Sequence, residues 1–311
     1  MSKVRIKIAG VDAVLKCKQQ LKNNLKGGEN MREDKITLAL MYDFDKTLSP
    51  KDMQEYSFIP DIGINDPEDF WREANKLASK NSMDNILACM YLMLKKAGEK
   101  DRPVTRAAFV DKGENVKLYP GVATWFDRIN NYAKKKGADV RHYIISSGLK
   151  EIIEGTAIAD KFDAVFASEF LYDANGVAKW PAMAINFTSK TQFLYRINKG
   201  AMNVADAWEV NRHVPQKKRP VPFSSMIYIG DGMTDIPCMK LVKINGGHSI
   251  VVYHPGLPDK MKTAQKIEKD ERVNFIAEAD YSEGKTLEKI VMCIIDKIVA
   301  NKTLDFLKSG D

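Results

Sequence analysis

Two aspartates, two residues apart, close the first apolar run of the chain. Ile36–Tyr42 (ITLALMY) is followed by Asp43-Phe44-Asp45-Lys46-Thr47. Side chains alternate along an extended strand, so Asp43 and Asp45 fall on the same side. Other apolar runs also end in polar groups: residues 140–145 run into Ser146-Ser147-Gly148, and residues 226–229 into Gly230-Asp231-Gly232. Carboxylates gathered in one cleft repel one another unless some are protonated or a cation sits among them. Oxygen ligands of this kind suit Mg²⁺, which usually shares its shell with water and phosphate. The chemistry that fits is attack on a phosphate ester. Thr47, Ser146 and the backbone N–H groups near Gly148 are suitable donors to phosphate oxygens, and a fixed cation would offset transition-state charge. Lys190 is the candidate cation. It lies in Asn186-Phe187-Thr188-Ser189-Lys190-Thr191, just before a helix expected over residues 192–198 with Thr188 or Ser189 as its cap. A lysine in a first helical turn opposes the dipole preference, which points to another purpose. Lys199, nine residues on, competes for the role.

These groups, from Asp43 to Asp231, span almost 190 residues, so the fold must gather them. Short continuous apolar runs are the mark of strands buried on both faces. Besides the three above, residues 249–253 form such a run, ending at His254-Pro255-Gly256, with weaker candidates at 162–167 and 273–277. The clearest helix is the last, where Leu287, Ile290, Val291, Ile294, Ile295 and Ile298 keep helical spacing. Buried strands alternating with amphipathic helices specify an α/β fold: a Rossmann-like parallel sheet with helices on both faces. In such a sheet ligands bind outside the carboxyl ends of the strands, which collects Asp43, Asp45, Ser146 and Asp231 in one crevice.

The first two strands are separated by far more chain than one crossover needs. Residues 68–81 and 82–96 carry helical spacing, with Phe70, Trp71, Leu77, Ile86, Leu87, Met90 and Leu94 as candidate core. This predicts a small α-helical cap domain over 51–117, a catalytic core over 35–50 and 118–311, and a basic N-terminal arm over 1–34. Residues 1–28 hold seven Lys/Arg and one acid, so +6 of the net +7 lies in that arm and the remainder is near neutral. A short amphipathic helix accounts for Val14, Cys17, Leu21 and Leu25; an alternative start at Met31 would remove it. Any polyanion contact would rest on the arm alone, and no nucleic-acid partner is expected.

Apolar residues at 44% and charged residues at 29% are near globular averages, excluding a disordered or collagenous chain. No apolar stretch approaches the roughly 18 residues of a membrane span, and no secretory signal is evident. Cys17, Cys89, Cys238 and Cys293 form no CxxC pair, which argues against a disulfide framework or cysteine zinc site and fits a cytoplasmic location.

Taken in order, DFDKT-LSP, YIISSG, Lys190 before a helix, and GDGMTD resemble the four motifs of the haloacid dehalogenase (HAD) superfamily of phosphatases. The position of the insertion is similar to that of the helical cap in phosphoserine-phosphatase-like members. The resemblance covers residues of about 36–300. It implies Asp43 as the nucleophile that forms an aspartyl-phosphate and Asp45 as general acid, then base. It implies Thr47 and Ser146 as phosphate-binding hydroxyls, with Ser147 an adjacent alternative and Gly148 beside them. Lys190 would steady Asp43 and the phosphoryl group. Mg²⁺ would be held by Asp231, Asp43 and the backbone carbonyl of Asp45, with Asp235 supporting the metal shell.

The expected activity is a Mg²⁺-dependent phosphomonoesterase acting on a small-molecule phosphate ester. A phosphotransferase or mutase using the same aspartyl-phosphate is the first alternative, and a polyanion-binding protein acting through the arm the second. An acid two residues past the nucleophile serves an alkoxide leaving group, whereas halide needs no proton, so dehalogenation is not expected. A lone Asp after a strand is often only a helix cap; the combination with Ser146 and Lys190 is what favours chemistry. Arg72, Lys76, Arg102 and Arg106 are candidates for reading a substrate carboxylate or second phosphate, Gln54 and Tyr56 for substrate contact, and His254 for the cleft edge. His142, interior to a strand, reads as structural.

Overall fold

The computed structural model describes residues 36–102 and 104–309. The expectations for residues 1–34 lie outside the described residues. Ile36–Asp311 form one compact unit.

A seven-stranded sheet runs through that unit in the order β4-β3-β2-β1-β5-β6-β7. The strands are β1 (Ile36–Tyr42), β2 (Ala138–Leu149), β3 (Ala164–Tyr172), β4 (Ala178–Met183), β5 (Met226–Gly230), β6 (His248–Tyr253) and β7 (Phe275–Glu278). All pairings are parallel except β3 with β4. The α/β reading therefore holds, with one addition: the antiparallel edge strand β4 had no strand signal, since Lys179 and Pro181 interrupt it. β2 is also longer than its apolar run. It continues through Ser146-Ser147-Gly148 with a register shift against β3 between Ile145 and Leu149, so these polar residues sit in an irregular strand end rather than beyond it.

The helices are α1 (Phe58–Asp61), α2 (Pro67–Asn81), α3 (Asn85–Glu99), α4 (Arg106–Asp111), α5 (Val122–Lys135), α6 (Lys150–Glu154), α7 (Thr191–Lys199), α8 (Ala207–Asn211), α9 (Ile236–Ile244), α10 (Pro258–Lys269) and α11 (Thr286–Ser309). Alternation along β1 decides which helix covers which face. Leu38, Leu40 and Tyr42 join Trp125, Phe126 and Ile129 of α5 and Leu287, Val291 and Ile295 of α11. Ala39 and Met41 join Phe193, Leu194 and Ile197 of α7, Met239 and Val242 of α9, and Ala264 and Ile267 of α10. Residue 43 follows the parity of 39 and 41, so Asp43 leaves the strand on the side of α7 and α9.

Helices α1 to α4 fill the segment between β1 and α5. Asp66 and Asp84 cap α2 and α3 by accepting backbone N–H groups from Glu68, and from Ile86 and Leu87. Phe58, Phe70, Ala74, Met90, Leu92 and Met93 are buried in the same continuous cluster as β1 and α5. Trp71, Ile86 and Leu94 pack against it partly buried.

One polar chain crosses the first face. Trp125 Nε1 donates to Tyr42 Oη at 2.9 Å, and Tyr42 Oη lies 3.0 Å from Nδ1 of His142. His142 Nε2 lies 3.0 Å from Asn130 Oδ1. Burial pushes the His142 imidazole down to about 4. Every buried polar group in this chain has a partner, the condition for keeping it there.

Candidate active site

Asp43 stands at the carboxyl end of β1, 5% exposed, with its N–H donating to the Ile229 carbonyl on β5. Next to it a fully buried Lys190 bridges two acids. Its Nζ lies 3.0 Å from Asp43 Oδ1 and 2.7 Å from Asp235 Oδ1. Burial alone would lower this ammonium, but the charges of Asp235 and Asp43 outweigh it and raise it. Lys190 closes a 3-10 turn, Phe187–Lys190, immediately before α7. The expected cap by Thr188 or Ser189 on the following helix is corrected. Ser189 instead folds back on Asn186, accepting its N–H and donating to its carbonyl, both at 2.7 Å. Lys199 turns elsewhere: its Nζ donates to the carbonyls of Val210 and Arg212.

Asp235 is held from three sides. Tyr228 on β5 donates its hydroxyl to Asp235 Oδ1 at 2.7 Å, beside Lys190. Gly230 allows the close approach, since a Cβ there would lie 2.5 Å from Asp235 Cγ and Oδ2. Oδ2 itself is buried without a hydrogen-bond partner among the described residues. Oxygens of Asp43, Asp231 and Asp235 lie within 4.8 Å of one another. Burial and the neighbouring carboxylates push Asp43 up to about 6 and Asp231 up to about 8. An orphaned carboxylate oxygen within a crowded acid cluster is what a divalent cation would relieve, so the donor set fits Mg²⁺.

The side chain of Asp45 is engaged elsewhere. Its Oδ1 accepts the Met53 N–H at 2.8 Å, which leaves its main-chain carbonyl as the group to offer a metal. Burial first, then the charges of Asp52 and Asp43, hold its carboxyl well above the usual carboxylate range. Lys46, the next residue, takes a positive φ of 59°. A non-glycine there is costly and marks a turn fixed by its surroundings.

Of the residues whose hydroxyl groups are expected to meet phosphate, Ser146 and Ser147 line the cavity at this place and Thr47 does not. Thr47 Oγ1 and Ser147 Oγ are buried without hydrogen-bond partners. Ser146 is fully buried, and its Oγ accepts the Gly148 N–H at 3.0 Å. Gly148 has no room for a side chain: a Cβ would lie 2.1 Å from Met53 Cε and 2.8 Å from Asp45 Oδ2. Leu149 N–H further donates to Met53 Sδ at 3.2 Å. Met53, absent from the sequence reading, thus ties the Asp45 loop to the end of β2. Tyr228 was missed for a similar reason, since a tyrosine inside an apolar strand reads as packing.

A cavity of about 760 Å³ opens over these residues. Asp43, Asp45, Ser146, Ser147, Gly148 and Asp231 line it. His254 lines it too, edge-on to Tyr119 with ring centroids 5.7 Å apart. Of the expected substrate contacts Gln54 lines it, but Tyr56, Arg72, Lys76, Arg102 and Arg106 do not. The reason is local pairing: Tyr56 meets Ser49, Arg72 meets Asp69, Arg102 donates to the Asp61 carbonyl, and Arg106 meets Glu154. Lys76 is solvent-exposed.

The family model of the haloacid dehalogenase-like hydrolases matches residues 40–240. The chain belongs to that family. A protein of Borreliella burgdorferi (strain ATCC 35210), described as uncharacterized, is 29% identical over 290 residues, covering 84% of this chain and 98% of its own. Among solved structures, a probable phosphoserine phosphatase from Vibrio cholerae in unliganded form superposes with a TM-score of 0.51 at 10% identity, covering 87% of this chain and 69% of that one. An apo phosphoserine phosphatase gives 0.50 at 14% identity, covering 82% of this chain and 98% of that one. At these identities the likeness is one of fold: a HAD-like core. Among the described residues no helix is long and apolar enough to cross a membrane.

Proposed function

We propose that this HAD-like hydrolase is a Mg²⁺-dependent phosphomonoesterase for a small phosphorylated metabolite, acting in the cytoplasm. The observation that carries the reading is Lys190, fully buried between Asp43 and Asp235, while the unpartnered hydroxyl of Ser147 belongs to a residue lining the same cavity as Asp43. An ammonium desolvated to this degree costs several kcal/mol unless its partners are held in place. An unpartnered hydroxyl at the Asp43 cavity suits a ligand rich in acceptor oxygens.

In this reading Asp43 attacks the ester phosphorus. The bond from phosphorus to the alcohol oxygen breaks, and the leaving oxygen takes the proton of the Asp45 carboxyl. Burial and the charges of Asp52 and Asp43 raise the Asp45 carboxyl, the direction a proton donor needs. Asp45, now a carboxylate, removes a proton from water, whose oxygen attacks the phosphorus of the aspartyl-phosphate. The bond to Asp43 breaks and inorganic phosphate leaves. Lys190 holds Asp43 in line, while Thr47, Ser146, Ser147 and the backbone near Gly148 receive the phosphoryl oxygens. Bound Mg²⁺, held by Asp43, Asp231 and the Asp45 carbonyl with Asp235 behind, would neutralise phosphoryl charge. The helical segment 51–117 serves as the cap that shields the site from water.

Phosphate release from a broad panel of phosphate esters, with and without Mg²⁺ and with Asp43→Asn as the blank, tests this. Metal-dependent release from the wild type and none from the variant is expected. Equal release from both would remove Asp43 from the role.

A further inference from the structure

The wall of the cavity opposite the catalytic acids has its own chemistry. It is built from the turn after Asp45 and from α2 and α3, and it contributes the acids Asp52, Glu55 and Glu68. Among the described lining residues the cations are Lys46 and Lys260. Lys46 is already spent, with its Nζ 2.5 Å from Asp52 Oδ2. Lys260 lies exposed on α10. Glu55 and Glu68 are therefore an excess of negative charge over the space where the alcohol part of an ester must lie. Burial, the charge of Asp52 and a hydrogen bond between the two carboxyls raise the Glu55 carboxyl, against the lowering effects of the Trp71 N–H and Lys46.

Two further groups show what kind of counter-ion is missing. Gln54 is 5% exposed, lines the cavity, and its Oε1 is buried without a partner. Trp71 lines the cavity beside Glu55, held by its Nε1 donating to Glu55 Oε1 at 3.3 Å. A buried acceptor, a carboxylate and an indole ring together suit a cation that also donates N–H groups. They repel a carboxylate or a second phosphate.

We propose that this wall selects phosphate monoesters whose alcohol carries a primary ammonium group, received by Glu55, Gln54 Oε1 and the ring of Trp71. The inference rests on the phosphomonoesterase reading. It replaces the sequence-based expectation of a cap that reads anions through arginine.

The test uses the full chain with Mg²⁺ and four matched esters: 2-aminoethyl phosphate, propyl phosphate, phosphocholine and 2-phosphoglycolate. The expected kcat/KM for the aminoethyl ester exceeds that for propyl phosphate at least tenfold, with 2-phosphoglycolate slowest. Glu55→Gln brings the aminoethyl-to-propyl ratio close to one, and Glu55→Lys turns the preference toward 2-phosphoglycolate. A wild-type ratio near one, or a preference for 2-phosphoglycolate, overturns the proposal. Phosphocholine turned over as well as the aminoethyl ester overturns the part given to Gln54, since a quaternary ammonium donates no N–H. Calorimetry with 2-aminoethylphosphonate against propylphosphonate reads the same selectivity without hydrolysis. At least tenfold tighter binding of the aminoethyl compound is expected, and equal binding counts against the proposal. Failure of the parent reading looks different: no phosphate is released from any ester, p-nitrophenyl phosphate included, while the phosphonate preference persists.

Discussion

The two walls of the cavity are held in different ways. On the sheet side, Asp43 lines the cavity and is tied to the buried Lys190, Asp235 and Tyr228 behind it by contacts of 2.7 to 3.0 Å. On the helical side, Glu55 meets Trp71 through one longer contact of 3.3 Å, and Gln54 Oε1 has no partner. Charges fixed in a dry site need no reorganisation when a reaction develops new charge, which is what catalysis demands. A wall with unspent acceptors is suited to a ligand that completes it. In the proposed reading the sheet side serves the reaction and the helical side the choice of substrate, and each substitution below strains that division.

The largest effect is expected at Lys190. Lys190→Met leaves Asp43 and Asp235 as buried carboxylates without their cation. Breaking a buried pair from one side costs about 3–5 kcal/mol, and losing a fixed charge at the reacting centre costs at least about 10²-fold in kcat. Urea unfolding and phosphate release on the same preparation check both. Lys199→Met is the control, because its Nζ serves only the carbonyls of Val210 and Arg212. A loss of turnover as large as that of Lys190→Met would return Lys199 to the candidate site.

Beneath the sheet-side wall, the brace through Tyr42 and His142 predicts an acid response. The folded imidazole of His142 is lowered from 6.5 to about 4, so the unfolded chain binds a proton that the folded one refuses. The stability from this group is complete above pH 6.5 and is lost as the pH falls toward 4. Over that window it amounts to about 3 kcal/mol. His142→Asn should flatten the pH dependence of the urea midpoint between those limits. An unchanged slope would mean that other groups govern acid unfolding.

Tyr228→Phe removes one hydrogen bond to Asp235 while Lys190 stays in place. A bond to a charged group is worth about 1.5–3 kcal/mol. A loss within that range, with a fall in kcat no greater than about tenfold, is expected from denaturation and steady-state rates.

The sheet-side wall was the legible one. Buried strands read as unbroken apolar runs, and a polar residue where such a run stops is visible in the sequence, as at Asp43 and Asp231. Lys190 stood out because it opposes the helix dipole preference. Tyr228 and Met53 were not visible, because a buried tyrosine in a strand and a methionine in a turn look like packing until their partners are known. The helical wall was illegible for a deeper reason. Met90 and Met93 keep helical spacing and are buried in the common core, yet they also line the cavity. Periodicity says that a side chain is shielded from water, not whether it faces neighbours or a void. Charge was equally misleading: Arg72, Arg102 and Arg106 pair elsewhere, so the helical segment lines the cavity with acids where arginines were expected. β4 was missed because an edge strand carrying Lys179 and Pro181 has lost its apolar signature.

The smallest effect gives the finest test of the division. Trp71→Phe keeps an aromatic ring in the wall and deletes only the Nε1–H that Glu55 accepts at 3.3 Å. A bond of that length, partly exposed, is worth about 1 kcal/mol or less, so the change in KM should stay below about tenfold. The hydrogen bond of Trp71 goes to Glu55 and not to Asp43, Asp45 or Lys190, so kcat should hold even as KM rises for an ester that uses Glu55. KM against kcat therefore separates the walls: Tyr228→Phe acts on kcat through Asp235, and Trp71→Phe acts on KM through Glu55. If Trp71→Phe lowered kcat as far as Tyr228→Phe does, the helical wall would be reaching the phosphoryl group, and the two walls would have to be treated as one.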